Sequence, residues 1–128
     1  MIGIDTNILV RFLTNDDKKQ AKYAADLIKD HPVFIPKSVL LETEWVLRYT
    51  YELKPAIILN AFEKLMGLTH VTFEDPACLV QVLEWYREGF DFADALHLAS
   101  SQKAKNFATL DKRFIRQAKQ KNIHLLTL

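Results

Sequence analysis

The sequence predicts an α/β fold, a sandwich of helices around a mostly parallel sheet of four to five strands. Three observations predict it. Short, continuous apolar runs recur along the chain, as parallel strands require when helices cover both faces. Helical periodicity fills the stretches between them, with two helices in several of the crossovers. The 128 residues, 49% hydrophobic and 26% charged, suffice for one domain with an ordinary core.

Residues 1–4 read as a first strand that ends abruptly in Asp5, Thr6 and Asn7. Residues 8–13 follow as a short helix, closed by the polar turn Asn15-Asp16-Asp17. A helix over 18–29 carries Ala21, Ala24, Ala25 and Ile28 on one face, and His31-Pro32 ends it before a strand over 33–35. Ser38 is the expected cap of a helix reaching residue 51 through Val39, Leu40, Trp45, Val46 and Leu47. Pro55 suits the first turn of the next helix, which runs to Met66 and stops at Gly67. A third strand covers 71–73, and Asp75-Pro76 opens a helix that ends at Glu88 and Gly89. The remainder is expected as a helix over 92–105, a strand over 107–110, a helix over 112–121 and a strand over 123–126.

Several function classes fall away. No apolar run approaches the ~20 residues of a membrane span. The N-terminus lacks the basic segment and apolar core of a signal peptide, so no export is expected. A lone cysteine, Cys78, excludes an internal disulfide, fits a reducing cytoplasm and reads as a small buried hydrophobe. His31, His70, His97 and His124 lie at no zinc-ligand spacing, and His97 is expected to pack within its helix. There is no phosphate-binding glycine loop, dinucleotide fingerprint or nucleophile elbow.

Net charge is +1, but unevenly spread. Residues 1–100 hold 10 basic against 15 acidic side chains, whereas residues 101–128 hold seven basic ones against Asp111 alone. Such asymmetry points to a polyanionic partner, with Lys112, Arg113 and Arg116 as candidate RNA contacts. A solvated helix face is the plainer explanation of the same residues.

The acids carry the chemistry. Asp5 and Asp111 each close a strand and precede a helix, where a carboxylate can cap and also face a cleft. Glu42 interrupts an apolar stripe and has no basic residue three or four positions away. Glu44, four residues before Arg48, reads as half of a surface pair. Either the stripe of Glu42 faces solvent, or Glu42 meets a cation. Asp91 suits the N-cap of the helix beginning at Phe92, which places Asp94 in its first turn. Carboxylates converging within ~5 Å would repel by roughly 3 kcal/mol per pair at an effective dielectric of 20. Mg²⁺ or Mn²⁺ is the natural counter-ion for such oxygens, and phosphodiester hydrolysis is the leading chemistry for such a metal.

Four pieces, Ile4-Asp-Thr-Asn-Ile-Leu9, Leu41-Glu42-Thr43, Phe92-Ala-Asp94-Ala-Leu-His-Leu-Ala99 and Ala108-Thr-Leu-Asp111-Lys-Arg-Phe114, resemble the PIN-domain family. They look closest to the VapC-like toxins of prokaryotic toxin–antitoxin pairs, and the resemblance covers essentially the whole chain in order. It implies a three-layer α/β/α fold and a Mg²⁺- or Mn²⁺-dependent endoribonuclease. Asp5, Glu42, Asp94 and Asp111 would form the acidic quartet. Asn7 and Thr109 would orient groups near the metal, and Asp91 would be an auxiliary ligand or simply the cap. A small VapB-like antitoxin lying across the site and a homodimer are also implied.

Other readings compete. A phospho-receiver domain needs an acid pair after the first strand and a mid-chain aspartate, but Asp5 stands alone and the middle reads Glu52-Leu-Lys-Pro55. A catalytically silent RNA- or protein-binding module would differ by lacking metal-dependent cleavage. An RNA-processing nuclease that is not a toxin would keep the chemistry and change the role; the lack of any appended RNA-binding domain favours the toxin.

Overall fold

The computed structural model describes residues 1–126. The chain forms two compact units, residues 1–76 and 77–128. In the first, β1 (Ile2–Gly3), β2 (Val33–Ile35) and β3 (Val71–Phe73) make a fully parallel sheet in the order β1-β2-β3. Ile2 stands opposite Val33, and Phe34 opposite Thr72. Between β1 and β2 run α1 (Thr6–Thr14) and α2 (Lys18–Asp30); between β2 and β3 run α3 (Lys37–Tyr49) and α4 (Pro55–Met66). Two helices per crossover is the expected arrangement.

The elements follow from local chemistry. Asn15 ends α1 in the left-handed conformation with φ 55°, which asparagine tolerates better than most side chains. Asp17 caps α2 by accepting from the Gln20 N–H at 3.0 Å. Ala21, Ala24 and Ile28 turn inward, and Leu9, Val33, Ile35, Ile58 and Phe62 complete a buried core. Pro55 starts α4 and Gly67 ends it, as expected.

Ser38 does not cap α3. The N-cap is Pro36, whose ring can offer no side-chain acceptor, and the helix begins two residues early at Lys37. Glu74, beyond the end of β3, accepts from the orphan Lys37 N–H at 3.0 Å instead.

The second unit contains α5 (Pro76–Arg87), α6 (Phe92–Ser100) and α7 (Lys112–Gln120). Gly89 follows α5 with φ 99°, a conformation that only glycine adopts without strain. Edge-to-face aromatic pairs bind this unit: Tyr86 with Phe92 at 5.3 Å, and Phe90 with Phe114 at 6.1 Å. Cys78 is buried here, as its sequence context led us to expect.

Two expectations need correction. The helix over 92–105 stops at Ser100, because residues 102–106 are all exposed and bury nothing that would offset the cost of ordering them. The segments expected as fourth and fifth strands meet in a single parallel bridge, Ala108 with Leu126. Its two hydrogen bonds are 2.8 and 3.4 Å long, and neighbouring Leu110 is 75% exposed, so no ladder extends from it. The sheet of the described residues therefore has three strands.

Candidate functional site

The carboxyl ends of parallel strands, where chains turn into helices, are the usual seat of function in such sheets. Asp5 follows β1 there. Its carboxylate accepts from the Ile8 N–H at 3.0 Å, so it caps α1, and the side chain is nevertheless exposed. Capping and availability coexist because one carboxylate oxygen satisfies the helix and the other remains open.

Asp5 shares a groove of about 450 Å³ with Asn7, Ser38 and Glu42. Glu42 is exposed on α3 with Trp45, itself 55% exposed, while Val39 of the same stripe is buried and Val46 half-buried, so the stripe lies at the groove's edge. Its Oε1 accepts from the hydroxyl of Thr6, a side chain only 9% exposed. Thr6 is a positioning residue that the sequence reading missed, although it stands between the two residues it singled out, Asp5 and Asn7.

Glu44 reverses its expectation. It is 1% exposed, and Arg48 Nε lies 2.9 Å from its carboxylate, so the pair is buried at the Glu44 end rather than superficial. Helix geometry explains the exchange: Glu44 lies among inward-facing Leu40, Thr43 and Leu47, whereas Glu42 is rotated away from them.

In the second unit, Asp91 caps α6 by accepting from the Asp94 N–H at 3.1 Å, and Asp111 caps α7 by accepting from the Phe114 N–H at 3.0 Å. Thr109 Oγ1 accepts from the Asp111 N–H at 3.1 Å and so fixes the turn that presents this acid. Burial, reinforced by the like charges of Asp91 and Asp111, pushes the Asp94 carboxyl above its ordinary value; His97 opposes the shift. His97 is exposed and does not pack within the helix, because the small residues Ala95 and Ala99 take the inward positions. Lys112, Arg113 and Arg116 follow Asp111 on the exposed side of α7 and form no ion pair among the described residues.

The Asp94 shift has a sign that can be checked. Its folded-state value lies above the unfolded one, so folding disfavours the ionised form. That cost is absent below the unfolded carboxylate range and complete once pH has risen past the folded-state value. Asp94→Asn is therefore expected to raise the melting temperature slightly at pH 7 and to lose that advantage on acidification towards pH 3.5. Thermal melts of both proteins across this range would overturn the assignment if the gain grew on acidification.

A divalent cation fits these donors in kind. Asp5, Glu42, Asp94 and Asp111 offer hard carboxylate oxygens and form no ion pair among the described residues. No three His, Cys, Asp or Glu side chains among the described residues are gathered closely enough to hold a metal. Asp5 and Glu42 share the groove of the first unit, and Asp94 senses the charges of Asp91 and Asp111 in the second.

Among the described residues no helix is long and apolar enough to cross a membrane. Residues 2–120 match the family described as PIN domain. No curated protein matches the chain.

Proposed function

Because the chain belongs to the PIN domain family, whose members are generally nucleases, we propose that it is a metal-dependent endoribonuclease hydrolysing RNA phosphodiester bonds. The observation that carries this reading is the groove shared by Asp5 and Glu42, where the exposed Asp5 carboxylate closes β1 and the Thr6 hydroxyl holds Glu42; the Asp94 carboxyl, raised by burial and then by the like charges of Asp91 and Asp111, supports it.

In this reading, as the resemblance implies, Asp5, Glu42, Asp94 and Asp111 would hold Mg²⁺ or Mn²⁺. When bound, the ion supplies polarisation of a phosphoryl oxygen and a readied water for in-line attack. Thr6 keeps the Glu42 carboxylate in one orientation through its hydroxyl. The α1 cap sets the Asp5 carboxylate, and Thr109 steadies the turn bearing Asp111. Asn7 lines the groove with Asp5 and offers an amide to the substrate. Asp91 acts through the Asp94 backbone rather than as a ligand. Lys112, Arg113 and Arg116 supply an electropositive approach for the RNA backbone.

The role we assign is the toxin of a toxin–antitoxin pair acting in the cytoplasm, as a homodimer, with a small antitoxin as its partner. The resemblance of the four motif pieces to VapC-like toxins supports that role, and the lone buried Cys78 suits a reducing compartment.

The test is cleavage of a mixed tRNA and structured-RNA pool, with Mg²⁺ or Mn²⁺, with EDTA, and with Asp94→Asn alongside. Cutting is expected only with metal and only by the parent. Folded, antitoxin-free protein that cuts nothing under any condition would leave a silent binding module. Reversing Lys112, Arg113 and Arg116 to Glu is expected to weaken RNA binding and flatten its salt dependence. An unchanged salt slope would move the RNA path off α7.

A further inference from the structure

A second groove, of about 660 Å³, opens on the other side of Asp5 and Asn7, between the start of α1 and the first two turns of α2. Asp5 and Asn7 line both grooves, so anything held at Asp5 continues naturally into this one. Its size is in the range that takes a small organic ligand.

The lining sorts by chemistry. Arg11 forms a fixed wall: its guanidinium donates to Gln20 Oε1 at 2.7 Å, to Asp16 Oδ1 at 3.1 Å and to the Tyr51 hydroxyl at 3.2 Å. Tyr51 in turn donates to Asp16 at 2.7 Å, and this bond, joined by those from Thr14 and Arg11, holds the Asp16 carboxyl below its ordinary value. The charge of Arg11 is thus met within the protein. Lys19 is different, being exposed and without an ion pair or hydrogen bond among the described residues. Tyr23, one turn further along α2, is 64% exposed. The bond from Arg11 occupies the Gln20 oxygen and leaves its NH₂ as a donor.

We propose that this groove holds a nucleotide next to the scissile phosphate of single-stranded RNA, with a phosphate on Lys19 and a base on the Tyr23 ring. An uncommitted cation beside an exposed ring is the combination that single-stranded nucleic acid recognises: the ring accepts any base face and the cation follows the backbone. A duplex keeps its bases stacked inside and offers the ring no face, which assigns the groove to an unpaired segment. The Asn7 and Gln20 amides stand where they can meet a base edge. The inference rests on the nuclease reading for its substrate and on the groove alone for its residues.

The test is anisotropy of a fluorescein-labelled, unstructured, mixed-sequence RNA oligonucleotide with the 128-residue chain in EDTA, so that cleavage plays no part. Tyr23→Ala is expected to weaken binding about tenfold, and Tyr23→Phe, which keeps the ring, to restore it. Lys19→Gln is expected to lower the slope of log affinity against log salt by about 0.7, one phosphate's worth for a single strand. Lys29→Gln, at the far end of the same helix, is expected to leave the slope as it is.

Chain that cleaves RNA while Tyr23→Ala and Lys19→Gln bind like the parent overturns the groove assignment, leaves the nuclease standing and frees the groove for a protein partner. Binding that depends on Tyr23 and Lys19 in a chain that never cuts upholds the groove and removes the nuclease. Absence of RNA binding in EDTA overturns the groove assignment, and cleavage with metal then decides the nuclease reading on its own.

Discussion

Asp5→Asn is expected to slow RNA cleavage by about a thousandfold or more, the scale lost when one preorganised electrostatic group leaves a reacting centre, while the melting temperature stays put. The amide removes the charge yet keeps the oxygen that accepts from the Ile8 N–H, and asparagine caps a helix as well as aspartate does. Asp5→Ala therefore differs from Asp5→Asn in one respect only. It loses the cap as well, about 1 kcal/mol, or roughly 3–5 °C for a chain of this size. Cleavage rates and thermal melts of the pair separate the two jobs of this residue. An asparagine variant cutting as fast as the parent would leave Asp5 a helix cap and nothing more.

The largest loss of stability is expected at Glu44→Ala. The carboxylate is 1% exposed and meets Arg48 at 2.9 Å; removing it strands a guanidinium against the core. Breaking such a pair costs about 3–5 kcal/mol. The lower end applies here, since the Arg48 side chain is 28% exposed, stacks on the Tyr49 ring at 4.6 Å and can turn towards water. A fall in melting temperature of roughly 10 °C or more is expected. Replacing both partners together, Glu44→Leu with Arg48→Met, is expected to recover most of it, because no charge is then left buried. A single Glu44→Ala variant as stable as the parent would mean that Arg48 relaxes freely into solvent.

Much of the first unit was legible in the sequence because its signals are local. Apolar runs of three residues between caps and prolines marked β2 and β3 to the residue, and Pro55 and Gly67 bracketed α4. The misread features depend on what lies far along the chain. Ser38 looked like a cap because nothing near it reveals that Glu74, 36 residues later, answers the Lys37 N–H. Glu42 and Glu44 were exchanged because two residues of helix rotate a side chain by more than half a turn, and the inward side of α3 is chosen by α1 and α4, which pack against it. The bridge between Ala108 and Leu126 failed to become a ladder because Leu110, apolar in type, is left in solvent.

The acidic positions were legible for a different reason. Asp5, Asp91 and Asp111 each obey the capping rule, and each does cap. The Thr6 hydroxyl on Glu42 was not legible, since it joins residues 36 apart and leaves no periodic trace.

The sheet order of the first unit, β1-β2-β3, is also the order of synthesis. Each strand pairs with the one that left the ribosome before it, and no position waits for a segment made later. Loop-closure entropy is then met in modest instalments, each rewarded by a strand pairing before the next begins. At about 5–20 residues per second, the stretch from β1 to β3 takes seconds to emerge, long compared with the microseconds that helices and loop closure need. The scaffold behind Asp5 and Glu42 can thus be complete while the segment carrying Asp94 and Asp111 is still being made.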